Sequence, residues 1–255
     1  MEMTNKEKVV ALITSLETGD KTAIGYINPE KYIQHNLMAG DGLQGFGELL
    51  HKLPHGSVKA KVVRAFSDGD YVFTQTDYDF FGPKAGFDVF RFENGKIVEH
   101  WDNLAEKAKT PNPSGHTQFD GETEITDLDM THTNKQIAGD FLKTVLIGGQ
   151  FDKLAHYIDG EKYIQHNPNI GDGISGLIKA VEAMAKQGIH MVLIKIRMVF
   201  GEGNFVLTVS EGTFAGKPVA YYDLFRLKNN KIVEHWDVIE EIPPAEKWAN
   251  KNGKF

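Results

Sequence analysis

Apolar residues along this chain keep helical spacing first and strand spacing afterwards, and the whole succession of patterns occurs twice. Thr4-Asn5-Lys6-Glu7 reads as a capping box, and Val9, Val10, Leu12, Ile13 and Leu16 follow on one helix face until Gly19. The same start recurs at Thr133-Asn134-Lys135-Gln136, with Phe141, Leu142 and Val145 behind it. An apolar segment at 23–27 leads to Tyr32-Ile33-Gln34-His35-Asn36, whose twin is Tyr163-Ile164-Gln165-His166-Asn167. Tyr and Ile favour a strand, and Asn36 or Asn167-Pro168 ends it. Asp41-Gly42 and Asp172-Gly173 then open amphipathic helices. Leu43, Phe46, Leu49 and Leu50 carry the first; Ile174, Leu177, Ile178, Val181 and Met184 carry the second.

Strand patterns fill the rest of each copy. They predict strands at 57–67, 71–80, 86–92 and 96–104, and again at 190–200, 204–214, 217–227 and 231–239. Asp68-Gly69-Asp70 and Gly201-Glu202-Gly203 stand where hairpins need them. Helices before strands predict an α+β fold with a meandering antiparallel sheet in each half. The last strand decides the organisation, because Lys-Ile-Val-Glu-His-Trp-Asp stands at 96–102 and again at 231–237. Such an identity marks a tandem duplication. The expected division is a first repeat over 1–110, a polar linker over 111–130 and a second repeat over 131–255. Asn252-Gly253-Lys254-Phe255 echoes the stretch from Gly115 to Phe119, which points to a docked tail in both places.

Composition narrows the partners. A net charge of −7 without basic runs argues against nucleic acid or an anionic membrane. The absence of cysteine excludes disulfides and thiolate chemistry. Glu2, Lys6, Glu7 and Lys8 do not suit a signal peptide, and no stretch reaches membrane-spanning length. The expectation is a cytoplasmic protein.

Alternation on the last strand puts His100 and Asp102 on one face with Val98, and Glu99 and Trp101 on the other. His235 and Asp237 repeat this against Glu234 and Trp236. A carboxylate in an apolar pocket moves towards the strength needed to remove a proton beside a ketone carbonyl, and nearby donors can hold the oxyanion. Asp102 with His100 and His35, and Asp237 with His235 and His166, are therefore the candidate catalytic sets. Gln34, Gln165, Asn36 and Asn167 are secondary candidates, since alternation sets Gln34 and Asn36 opposite to His35. Asp88 and Asp223 either join the site or pair with Arg64 and Arg197 on a neighbouring strand. Arg91 and Arg226 fall on the other face and read as structural. Tyr78, Phe90 and Phe225 read as core or pocket wall. The bland alternative is a His and an Asp that bond each other or cap the tail. His100, Asp102 and His35 could form a two-histidine, one-carboxylate metal site, but the spacing does not demand it. No serine shared by both halves supports a triad, and the chemistry needs no metal or organic cofactor.

Tyr-Ile-Gln-His-Asn followed by Asp-Gly, Asp-x-Phe-Arg at 88–91 and 223–226, and the repeated last strand together resemble the nuclear transport factor 2-like superfamily, in its SnoaL-like branch of polyketide cyclases. The resemblance covers both halves. It implies a cone of helices closed over a curved sheet around an apolar pocket, and a fused tandem would be a pseudo-dimer with Trp101 and Trp236 suited to its interface. It also implies that Asp102 and Asp237 match the cyclases' acid/base aspartate. Asp88 and Asp223 stand where those enzymes resemble one another in carrying a histidine, a departure that bears on the substrate. The function expected is aldol-type cyclase, isomerase or lyase chemistry on a small apolar ketone. The alternative is a binding or carrier protein without turnover.

Overall fold

The structure, a computed structural model, describes residues 2–54 and 56–255. It divides into two compact units, Met1–Glu106 with Pro243–Phe255, and Lys107–Ile242. In the first unit, helix α1 (Asn5–Thr18) starts at the expected capping box, in which the Thr4 hydroxyl accepts from the Glu7 N–H and the Glu7 carboxylate accepts from the Thr4 N–H. A 3-10 turn over Lys21–Tyr26 leads to the short strand β1 (Ile33–Gln34) and then to α2 (Gly42–Lys52). Strands β2 (Lys59–Asp68), β3 (Tyr71–Asp79), β4 (Pro83–Glu93) and β5 (Lys96–Glu106) follow. The sheet order is β1-β5-β4-β3-β2, with β1 parallel to β5 and the rest an antiparallel meander. Val9, Leu12 and Ile13 of α1 pack with Phe90, Phe92 and Ile97 of the sheet into one apolar core. Removing these side chains from water is the main force holding helix to sheet.

The second unit repeats the plan with α3 (Thr131–Phe141), α4 (Leu154–Tyr157), β6 (Ile164–Gln165), α5 (Gly173–Lys186), β7 (Met191–Glu202), β8 (Phe205–Phe214), β9 (Lys217–Lys228) and β10 (Lys231–Glu241). Its sheet order, β6-β10-β9-β8-β7, matches the first. Its core joins Ala138, Phe141, Leu142 and Val145 to Val206, Phe225 and Ile232. Among the described residues no helix is long and apolar enough to cross a membrane.

Three local expectations are corrected. The helix of the second unit begins at Thr131 without a side-chain cap, so Thr133, the expected cap, lies inside its first turn, and the Asn134 amide there donates to Gly203 O, 2.9 Å away. It continues as a π-helical turn over Leu142–Ile147, which the apolar spacing alone did not reveal. On β5, Arg91 pairs with Glu99 but Phe92 pairs with Ile97, so Val98 is the extra residue of a bulge. Ile97, rather than Val98, therefore joins the core beside Phe90.

Helices α2 and α5 lie tight against the loops that precede them. A Cβ on Gly45 would meet Gly40 backbone atoms at 2.1 Å, and one on Gly176 would meet Gly171 O at 2.1 Å. Only glycine permits this approach, which fixes where each helix starts relative to the strand before it.

The stretches that follow the two last strands are exchanged. The residues read as a linker after β5 belong to the second unit, and those after β10 belong to the first. Asn112 Nδ2 donates to Gln165 O (2.6 Å) and Ile170 O (2.9 Å). Asn250 Nδ2 does the same to Asn36 O (2.8 Å) and Ala39 O (3.0 Å). The echo between the two tails thus reflects equivalent docking.

Candidate active site

β4 and β5 set Asp88 directly opposite Asp102 and Phe90 opposite His100. Parallel pairing of β1 sets Gln34 beside His100. In the second unit Asp223 stands opposite Asp237, Phe225 opposite His235, and Gln165 beside His235. Each set faces the side of the sheet that the helices cover. Register alone thus gathers residues from three strands on one interior face.

Hydrogen bonds fix the rest. His100 Nε2 lies 3.1 Å from Asp88 Oδ1 and its Nδ1 3.0 Å from Gln34 Oε1. Gln34 Oε1 also accepts from the Asn36 N–H at 2.8 Å, so it meets the ring as an acceptor. Both ring nitrogens thus face acceptors. His235 repeats this with Asp223 Oδ1 at 3.0 Å and Gln165 Oε1 at 3.2 Å. Phe90 and Phe225 stack on these rings with centroids 4.5 Å and 4.8 Å apart. Burial works against the charge on His235, yet the hydrogen bond and the charge of Asp223 raise its pKa.

The second carboxylate of each set is held by the asparagine. Asn36 Nδ2 donates to Asp102 Oδ2 at 2.5 Å, while its Oδ1 accepts from the Met38 N–H and so fixes the amide orientation. Asn167 donates to both Asp237 oxygens, at 3.0 and 2.7 Å. Burial raises the Asp237 pKa, with Asp223 adding to the shift and His235 opposing it. Asp102 differs, because Lys254 from the docked tail places Nζ 2.8 Å from Asp102 O and 3.8 Å from Asp102 Oδ1.

The structure therefore brings together Asp102, His100, Asp88, Gln34, Asn36, Phe90 and Tyr78, whose hydroxyl donates to Asp88 Oδ2 at 2.8 Å. It brings together Asp237, His235, Asp223, Gln165, Asn167 and Phe225 in the second unit. It does not bring His35 or His166 to these carboxylates. His35 stacks on Trp101, faces Glu99 at 3.0 Å and meets Gly253 O at 2.9 Å. His166 stacks on Trp236, faces Glu234 at 2.9 Å and meets Thr117 O at 2.8 Å. Both histidines lie on the opposite side of the last strand and clasp the tails. Asp88 takes His100 and Tyr78 rather than Arg64, whose guanidinium bonds Gln75, and Arg197 bonds Glu211 rather than Asp223. Arg91 and Arg226 bond Glu99 and Glu234 on that far side, as their register predicts.

The tyrosines before the glutamines were missed as site residues. Gln34 donates to Tyr32 Oη at 3.4 Å and Gln165 to Tyr163 Oη at 3.1 Å, and burial lifts both phenols well above their ordinary range. The i, i+2 spacing of Tyr32, Gln34 and Asn36 carried that signal. Lys254 was missed as well, because only the docking of the tail brings it to Asp102.

Metal-ligating atoms of Asp88, His100 and Asp102, and of Asp223, His235 and Asp237, lie within 4.8 Å of one another. The histidine of each set directs both nitrogens at Asp and Gln, so a cation held there by the ring would displace one of those bonds. Cavities of about 200 Å³ and 120 Å³ lie elsewhere, the larger beside Lys107, Phe119 and Pro168.

No protein-family model matches the sequence, and no curated protein matches it. Solved structures do. An NTF2-like protein of Cytophaga hutchinsonii is 18% identical with a TM-score of 0.36, over 41% of this chain and 93% of its own. A SnoaL-like polyketide cyclase of Agrobacterium tumefaciens is 16% identical with a TM-score of 0.35, over 41% of this chain and 93% of its own. An LEH-like epoxide hydrolase of M. tuberculosis is 19% identical with a TM-score of 0.35, over 40% of this chain and 82% of its own.

Proposed function

We propose that each unit holds a cofactor-independent acid/base site for a small apolar ketone, with Asp102 and Asp237 as the proton-transferring groups. The supporting observation is that one arrangement, an aspartate held by an asparagine beside a His–Asp pair, is built twice inside an apolar core. Aldol-type cyclisation, isomerisation and lyase reactions share a first step that this arrangement suits. The carboxylate takes a proton from the carbon beside the carbonyl and becomes a carboxylic acid, and the electron pair moves onto oxygen as an enolate. His235, whose pKa is raised, supplies positive charge next to the developing anion while its own protons stay with Asp and Gln, and His100 occupies the same place in the first unit. The acid then returns its proton to carbon or oxygen.

The test is exchange of the protons beside the carbonyl of polycyclic and small aliphatic ketones in heavy water, followed by NMR. Asp102→Asn with Asp237→Asn should slow exchange by about 10²–10⁴-fold, the range of general acid–base groups, and leave the circular dichroism unchanged. Full activity in that double variant would sink the assignment. A second reading, ligand binding without turnover, is favoured by Asn167 occupying both oxygens of Asp237. Ketones that shift the melting temperature of wild type and double variant alike, with no exchange in either, would support it.

A further inference from the structure

The two interiors differ by an exchange of side chains between strands. In the first unit Tyr78 on β3 lies over Gly86 on β4, so that a Cβ on Gly86 would meet its ring at 2.9 Å. In the second unit glycine and tyrosine trade strands, and a Cβ on Gly212 of β8 would meet the ring of Tyr221 on β9 at 3.0 Å. Ring volume is conserved but the hydroxyl is redirected. Tyr78 Oη donates to Asp88 Oδ2 at 2.8 Å, Thr74 Oγ1 reaches the same oxygen at 3.5 Å, and Thr76 Oγ1 lies 3.4 Å from Thr74. Tyr221 Oη donates instead to Thr213 O at 2.7 Å.

The consequence falls on the counterparts of that network. Asp223 Oδ2, Thr208 Oγ1 and Ser210 Oγ are buried with no partner among the described residues. They share one face, because Thr208 is the cross-strand partner of Asp223 and Ser210 follows two positions on. Thr208 and Ser210 are fully buried, at 0% exposure. Buried polar atoms are nearly always bonded, and each one left alone carries a desolvation cost. Three on a single patch beside a candidate active site point to a ligand group that bonds them.

Charge and chemistry choose the group. The other oxygen of Asp223 already faces the His235 imidazole at 3.0 Å, so the pair balances its own charge. A cation or an anion seated there would bring an unpaired charge into a dry interior. A hydroxyl brings none. It donates to Asp223 Oδ2 and accepts from Thr208 or Ser210.

We propose that the interior of the second unit binds a neutral alcohol, its hydroxyl seated among Asp223 Oδ2, Thr208 Oγ1 and Ser210 Oγ, and that Tyr78 closes the same seat in the first unit. This rests on the reading of the interior cluster as a site and not on its turnover. The two units would then take different members of one ligand class, apolar bodies with and without a hydroxyl at that point.

The experiment titrates the full chain with cyclohexanol and with its methyl ether, which lacks the donated proton, and follows backbone amide resonances. Cyclohexanol should shift Thr208, Ser210 and Asp223 and leave Thr74, Thr76 and Asp88 in place. The ether should bind about tenfold more weakly, the weight of a buried hydrogen bond. Thr208→Val with Ser210→Ala should lose cyclohexanol affinity by about tenfold while gaining thermal stability, since unpaired buried hydroxyls are removed. Equal binding of alcohol and ether, equal shifts in both units, wild-type affinity in the double variant, or no alcohol binding in the second unit would each overturn the proposal. Because binding is read without turnover, these outcomes are separate from loss of ketone exchange in the aspartate variants.

Discussion

His235 sits between Asp223 and Gln165 with both ring nitrogens facing acceptors, and its pKa is raised against the opposing effect of burial. A histidine whose folded pKa exceeds its unfolded value, near 6.5, stabilises the fold fully below that value. The contribution then fades as pH rises through the raised value. Urea unfolding of wild type and His235→Gln should show the widest gap in mildly acidic buffer and a narrowing gap towards pH 9. Asp237 gives another test, since burial lifts its pKa and the folded state prefers it protonated. Its ionisation costs stability as pH rises above the ordinary aspartate value, so Asp237→Asn should be more stable than wild type at neutral pH. That advantage should shrink as the pH approaches 4. The aspartates and His100 and His235 were legible in the sequence because strand alternation is insensitive to distant contacts. His35 was not, because β1 ends at Gln34 and His35 is the polar residue that follows it, so nothing local says which of the two faces inward. The tail decides it, through Gly253 O.

Among the elements, α2 and α5 depend on the glycines that let them touch their own N-terminal loops. Gly45→Ala and Gly176→Ala force an overlap with backbone that no rotamer relieves. Each should destabilise its unit by about 1–3 kcal/mol, measured by thermal unfolding, the usual cost of overpacking. The order and type of elements were legible from periodicity, and the strand limits in the structure lie close to those predicted. The start of α3 was not legible, because Thr133 and Gln136 have the spacing of a capping box, yet the helix already begins at Thr131, whose hydroxyl accepts from the Gly203 N–H on a turn far away in sequence. The bulge at Val98 was hidden for a related reason, since an inserted residue changes pairing without changing composition.

For the whole molecule, the exchanged tails determine which residues complete each unit. Asn112→Ala should raise amide hydrogen exchange over Gln165–His166 and the loop to Ile170, and leave the first unit unchanged. Asn250→Ala should do the converse, loosening the stretch from Asn36 to Ala39. The duplication made two halves legible, but composition showed only a polar stretch at 111–130 and could not show which half it joins. That follows from side-chain amides meeting particular carbonyls, which no property of the stretch itself encodes.

One result of the exchange concerns synthesis. Lys107–Ile242 is continuous in sequence, whereas the first unit also includes Pro243–Phe255. Chains usually fold in the order they leave the ribosome, N-terminal unit first. Here part of the half that is made first leaves the ribosome only after the whole of its neighbour.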